Sequence, residues 1–366
     1  MKKVLIIAGG LQVGGAERVA ANISKYAPEG EFEFHYIVFE GIENVYGAEI
    51  EEKGGKVFVL PSPSSSYKRY IQQLDKLMKE NHYIALHSHT MFNSGISLFI
   101  ALLNKIPCRI AHSHTTKTEV NVSFVKRIYQ NLMRAIIRFT ATDYFACGIQ
   151  AGYWLFGKSA FDKKGVIINN GIDTNEFSFS KEYRKQIREK YGIEERFIIG
   201  HSGTLIPLKN QKFLIELLPE IKKRKPGVVL MLLGGGDEEN QKRLKKVAED
   251  NGVSDSVIFC GQVMNVYEYL SAFDVFTFPS LREGTPLALL EAQTNGLPCI
   301  VSSNIPSDAF LTDLVKQISL QDKSDWIQYI CNAQRVKSEK YSLVIDKAGY
   351  SAISAYKKIY SIYNGE

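Results

Sequence analysis

Short apolar runs alternate with amphipathic stretches along the whole chain. The run at 3–8 is apolar after its lysine, and 16–27 follows at helical spacing. Runs at 35–39, 56–60, 84–87, 109–112, 144–147 and 165–168 read as further strands. Continuous apolar runs separated by helices are what a parallel sheet covered on both faces requires. Asn170-Gly171-Ile172-Asp173 reads as a turn, and a charged helix spans 181–191. The pattern then restarts, with strands at 197–201, 228–233, 257–260, 275–278 and 299–302 and helices at 211–224, 239–249 and 286–295. The stretch 341–363 reads as one helix rich in Tyr and Lys. The expectation is an α/β protein of two doubly wound parallel-sheet domains, 1–175 and 176–346. Ligands of such sheets bind beyond the carboxyl ends of the strands, so two domains facing each other hold theirs in a cleft.

Size agrees with that division, because 366 residues are too many for one core. Composition is that of a soluble globular protein, and no apolar run reaches the roughly 18 residues of a membrane span. The short apolar start followed by glycines reads as a first βα unit rather than a signal peptide. Five scattered cysteines form no disulfide or metal pattern, which suits a reducing, cytoplasmic setting. The net charge of +6 is uneven. Between Lys68 and Arg138 there are 11 Lys/Arg against 3 Asp/Glu, a local balance of +8. Anionic lipid and phosphorylated substrates are candidate partners for such a region. Nucleic acid is not expected, because the region lacks interleaved aromatic platforms or a reader motif.

Candidate chemistry concentrates in Arg282-Glu283-Gly284-Thr285-Pro286-Leu287 and its continuation to Glu291. Pro286 suits the first position of a helix, which puts Glu283 before the helix and Glu291 inside it. The amides at Thr285, Leu287 and Ala288 are then open to an anion. Two solvated glutamates on a capped surface helix is one reading. A phosphate held beside a sugar and a ribose is the other.

Glycines mark other strand ends: Gly9-Gly10 and Gly14-Gly15, Gly203 before Thr204 and Lys209, and Gly234-Gly235-Gly236. They let backbone approach a ligand, but their spacing matches neither a dinucleotide fingerprint nor a P-loop. His87-Ser-His89 and His112-Ser-His114 each put two rings on one side of a strand. No carboxylate or cysteine cluster accompanies them, which argues against a metal; a sugar-facing or a core role remains. A helix over 123–138 carries Phe124, Val125, Ile128, Leu132 and Ile136 on one face, with Lys126, Arg127, Arg134 and Arg138 as cations. It is either a domain helix with a solvated basic side or an interfacial helix that approaches anionic lipid.

Taken together, these residues resemble the retaining glycosyltransferases of family 4, nearly end to end. The resemblance is carried by Gly14-Gly15-Ala16-Glu17, Ile110-Ala-His-Ser-His114, Asn170-Gly-Ile-Asp173, Gly203 with Lys209-Asn210, Leu233-Gly-Gly-Gly236, Phe278-Pro-Ser280 and Glu283-Gly-x-Pro-x4-Glu291. The surrounding wording resembles the branch that builds bacterial capsules and exopolysaccharides. The resemblance implies the GT-B fold of two Rossmann-like domains, with a C-terminal helix (347–366) crossing back to the first. It implies transfer from a nucleotide-diphosphate sugar, a UDP-sugar by preference, to a lipid-linked saccharide, without a metal or other cofactor. It also implies that the enzyme sits in the cytoplasm, peripheral on the membrane. Glu283 would contact the donor sugar, Glu291 the ribose, and Val263 the base through its backbone. Amides of Gly284, Thr285, Pro286–Leu287 and Gly15 would hold the diphosphate, with Lys209 as its cation and His114 facing the reacting sugar. One departure stands out: Thr204 occupies the position where the family usually has arginine, and Arg282 is the candidate substitute. Sugar-nucleotide epimerases of the same fold, and a non-catalytic sugar-nucleotide-binding subunit, are the alternatives.

Overall fold

The computed structural model describes residues 1–366 except 13–14, 43, 115–122, 285 and 337–339. It divides into two compact units: Met1–Gly171 with Ala352–Glu366, and Ile172–Ser351.

The first unit is built on a seven-stranded sheet. Its strands are β1 (Lys2–Gly9), β2 (Phe32–Phe39), β3 (Lys56–Leu60), β4 (Ala85–Ser88), β5 (Cys108–Ser113), β6 (Asp143–Ala146) and β7 (Gly165–Ile167). They lie in the order β3-β2-β1-β4-β5-β6-β7, every pair parallel. Leu5 and Ile7 enter one core while Val4 and Ile6 enter the other. Side chains alternate faces along a strand, so two buried faces produce the unbroken apolar run seen in the sequence.

The second unit repeats the plan with β8 (Ile198–Ser202), β9 (Val229–Leu233), β10 (Val257–Gly261), β11 (Val275–Phe278), β12 (Cys299–Ser302) and β13 (Val315–Ile318). The order is β10-β9-β8-β11-β12-β13, again parallel throughout. β13 escapes a reading of the sequence because it is an edge strand whose Lys316 and Gln317 are exposed. The charged helix Lys181–Tyr191 is clasped to this sheet. Arg184 and Arg188 each reach Asp274 (2.6 and 2.7 Å), and the same carboxylate accepts the Ile198 amide at 2.7 Å.

Strand order reverses between β1 and β4 and between β8 and β11. Connections depart to opposite faces there, opening a crevice at the carboxyl ends. The expected helix over 341–363 is interrupted. Helix Lys340–Ile345 packs Ile345 against Ile172 and Leu290 of the second unit. Gly349 then takes φ 83°, which a side-chain-bearing residue adopts only with strain. Helix Ala352–Tyr363 follows and belongs to the first unit. There Tyr356 and Tyr360 donate to the carbonyls of Val19 and Ile23, and Tyr356 stacks on Tyr26 at 5.3 Å.

Helix Phe124–Thr140 divides its apolar residues between two faces. Met133, Ile137 and Thr140 face the core. Phe124, Val125, Ile128, Leu132 and Phe139 are 76, 75, 53, 55 and 78% exposed. The helix carries two apolar stripes, and the one conspicuous in the sequence is the outer one except for Ile136, which packs against the core.

Candidate functional site

In the second unit the β8/β11 crevice gathers most of the residues singled out in the sequence. β8 ends at Ser202, and the chain passes through Gly203 and Thr204 to a short turn, Pro207–Lys209. A Cβ on Gly203 would stand 3.6 Å from the Lys209 stem. Lys209 Nζ meets Glu283 Oε1 at 2.6 Å, with side-chain exposures of 20 and 11%. The same ammonium lies 5.2 Å from the centre of the Phe278 ring. A desolvated cation thus stands beside a carboxylate at the mouth of a strand-end crevice.

The rim is held by backbone. Gly203 N donates to Leu233 O (2.9 Å), Leu205 N to Gly235 O (2.7 Å) and Gly234 N to Gly261 O (2.8 Å). A Cβ on Gly234 would fall 2.1 Å from Gly203 O, so only glycine permits this approach. Gln262 lies against Gly235, and Val263 packs into the adjoining core.

Helix Leu287–Thr294 begins at the same rim. Pro286 is its N-cap rather than its first helical residue, with φ −80° and ψ 97°, and no side chain caps it. Its first amides therefore remain available to an anion. Glu291 is half-buried, one turn inside. Gly284 and Arg282 are exposed, and a Cβ on Gly284 would meet open space. Thr285 lies outside the described residues.

His201 was read only as part of a strand. It is wholly buried beneath this loop, and burial pushes its imidazole down to about 4. The neutral ring donates from Nδ1 to Thr277 O at 2.9 Å and accepts from Gln211 Nε2 at 3.3 Å. Gln211 also donates to Thr204 O at 2.9 Å. This chain ties the loop that carries Thr204 and Lys209 to β8 and β11. A histidine two residues before the glycine turn was the available signal.

In the first unit, Gly9 ends β1 with φ 77°, and Gly15 opens helix Gly15–Lys25. Gly14 lies outside the described residues. The four histidines of the two His-Ser-His motifs meet at the ends of β4 and β5. Parallel pairing of His87 with Ile110 staggers the motifs so that their rings interleave. His89 Nδ1 and His114 Nε2 are 2.7 Å apart, and His87 Nε2 and His112 Nδ1 are 3.1 Å apart. His87 Nδ1 meets Tyr363 Oη of the C-terminal helix at 2.6 Å. Burial holds His87 down to about 3 and His114 to about 4, with Asn170 pulling His114 back up; His89 and His112 also lie well below the usual histidine value. All four are neutral at pH 7.

Two doubly wound units, one with a lysine–glutamate pair and an uncapped helix start at its switch point, define the GT-B class of glycosyltransferases. A family model described as "Glycosyltransferase Family 4" matches residues 13–176, and one described as "Glycosyl transferases group 1" matches residues 183–337. The chain belongs to glycosyltransferase family 4 and is a glycosyltransferase. It is 32% identical to a Bacillus subtilis protein named as glycosyltransferase EpsF, over 99% of this chain and 96% of the other. It is 28% identical to the Staphylococcus aureus "Capsular polysaccharide biosynthesis glycosyltransferase CapH", covering 88 and 86% of the two chains. It is 27% identical to the Escherichia coli "UDP-Gal:alpha-D-GlcNAc-diphosphoundecaprenol alpha-1,3-galactosyltransferase", covering 79 and 77%. Among solved structures, Anabaena Alr3699/HepE in complex with UDP-glucose shares the fold over the full length of both chains, with a TM-score of 0.76 at 17% identity.

Proposed function

We propose that this enzyme transfers a sugar, with retention, from a UDP-sugar to a lipid-linked saccharide during capsular or exopolysaccharide synthesis. The observation that carries the reading is the 2.6 Å Lys209–Glu283 pair at the β8/β11 switch point, beside the uncapped start of helix Leu287–Thr294. A diphosphate there would take the Lys209 ammonium and the helix amides, releasing Glu283 to hydrogen-bond the sugar hydroxyls. Glu291 binds the ribose, and the backbone at Val263 holds the base. The names of the S. aureus and E. coli relatives support the pathway, the UDP donor and the lipid-diphosphate acceptor.

Catalysis rests on stabilising the departing diphosphate, where loss of one good donor costs on the order of 100-fold. Attack comes from the face the leaving group vacates, with the leaving phosphate assisting deprotonation of the acceptor hydroxyl. His114 is assigned to the reacting sugar. No metal is needed, because Lys209 and the helix amides supply the positive potential. Arg282, exposed beside Glu283, takes the place of the arginine that Thr204 replaces.

The outer stripe of helix Phe124–Thr140, flanked by Lys126, Arg127 and Arg138, suits an anionic membrane surface, where a lipid-linked acceptor resides. No helix among the described residues is long and apolar enough to cross a membrane. The deciding experiment supplies purified enzyme with labelled UDP-sugars and an undecaprenyl-diphosphate saccharide. Label should move to the lipid fraction with the anomeric configuration kept. Release of free sugar alone, or an inverted product, would overturn the reading.

A further inference from the structure

Transfer as proposed uses one of the four histidines on β4 and β5, and leaves the other three without a task. Ring centres stand 4.4 Å apart for His87 and His89, 4.1 Å for His112 and His114, and 5.0 Å for His89 and His114. His87, His89 and His112 each place a ring nitrogen within 4.8 Å of the others. The Nε2 atoms of His89 and His112 and the Nδ1 atom of His114 are buried without a hydrogen-bond partner. A buried imidazole nitrogen left unpaired costs on the order of 1–3 kcal/mol, so the two neighbouring Nε2 atoms ask for a shared partner.

Proton bookkeeping says what that partner is. If His89 donates from Nδ1 to His114, and His112 donates from Nδ1 to His87, both orphaned Nε2 atoms carry lone pairs. His87 then donates from its own Nδ1 to Tyr363 Oη. All the observed contacts are kept, His89 and His112 present lone pairs, and the N–H left over is Nδ1 of His114, which lies outside the ligand set. Neutral imidazoles without carboxylates suit a late first-row divalent ion rather than Mg²⁺ or Ca²⁺.

We infer that His87, His89 and His112 form a site for a borderline transition-metal ion such as Zn²⁺, distinct from the sugar-nucleotide site in the second unit. Zinc–nitrogen bonds of about 2.0–2.1 Å need ligand nitrogens roughly 3.4 Å apart, so the rings must rotate to bring their Nε2 atoms together. His87 joins through Nε2, giving up its contact with His112, while Tyr363 Oη fixes its tautomer from outside. Outer contacts of this kind orient metal-binding histidines. Binding draws on His89, the hydrogen-bond partner of His114, so the ion inhibits transfer. That last consequence rests on the sugar-facing role of His114; the binding itself does not.

Zn²⁺ and Co²⁺ titrations of the full chain test the site, read by calorimetry and by the visible absorption of bound Co²⁺. One equivalent should bind, with the Co²⁺ bands of a low-coordinate nitrogen site. His89→Asn with His112→Asn should abolish it, whereas His82→Gln, on the surface, should not. Tyr363→Phe keeps every ligand and should weaken binding about tenfold. Absence of a saturable Co²⁺ spectrum in the wild type, or binding indifferent to both the double variant and Tyr363→Phe, would overturn the inference. Metal binding without inhibition of an active transferase would remove only the coupling through His114.

Discussion

Lys209 and Glu283, 74 positions apart in sequence, form a 2.6 Å ion pair at the point where the strand order of the second unit reverses. Among the described residues neither side chain has a nearer charged partner, so each is positioned by the other. In the proposed reaction a nucleotide diphosphate replaces Glu283 in the company of Lys209. Glu283→Ala should therefore abolish transfer while nucleotide binding, measured by thermal shift with UDP, stays largely intact. Lys209→Ala should lose on the order of 100-fold in turnover and weaken UDP as well. Wild-type turnover in either variant would refute these roles.

Arg282 is exposed beside Glu283, while Thr204 offers one neutral hydroxyl. If Arg282 is the second cation for the diphosphate, Arg282→Ala should reduce kcat by about tenfold or more, well beyond the effect of removing another exposed arginine. Thr204→Arg in that background should restore part of the loss. Unaltered kinetics in Arg282→Ala would leave Lys209 and the helix amides to act alone.

Acid should destabilise the fold well before its carboxylates protonate. His87 and His201 are wholly buried and neutral, with pKa values held down to about 3 and about 4. In the unfolded chain each protonates near 6.5, so between those values the unfolded state binds more protons. Stability is full above about pH 6.5 and falls as pH drops below it, by up to about 1.4 kcal/mol per pH unit for each ring. Tm should be level from about pH 8 to 7 and decline by pH 5. A constant Tm across that range would contradict the neutral burial of both histidines.

Asp274 holds Arg184, Arg188 and the Ile198 amide together. Asp274→Asn leaves two guanidinium groups without a counter-charge and should cost about 3 kcal/mol of stability in the second unit. Urea unfolding would read this as a lower midpoint at unchanged slope. A midpoint shift below about 1 kcal/mol would mean that the carbonyls of Ala272 and Phe273, which Arg184 also contacts, satisfy the arginines alone.

Phe124 and Phe139 project from the outer stripe of their helix. Phe124→Ser with Phe139→Ser should leave stability within about 1 kcal/mol of wild type, since neither ring is packed. Binding to vesicles containing phosphatidylglycerol should fall sharply and remain salt-sensitive. Equal sedimentation of both proteins with vesicles would rule out this helix as the contact.

Periodicity by itself determined the architecture. Two series of unbroken apolar runs demand two sheets buried on both faces, because no other arrangement shelters consecutive apolar residues of a strand. The Glu283 to Glu291 spacing was likewise legible, since helix starts and proline positions follow from backbone chemistry within a few residues. Tertiary structure decided what depends on distant partners. β13 is held by β12 rather than by its own polar residues, and Gly349 breaks a stretch whose composition suits a helix throughout. The outward turn of the Phe124–Thr140 stripe was settled by Met133 and Ile137 finding the core first. His201 gained its task from Thr277 and Gln211, and the two His-Ser-His motifs became one cluster only when β4 and β5 paired. Local sequence sets which face a residue can show; only packing sets what stands opposite.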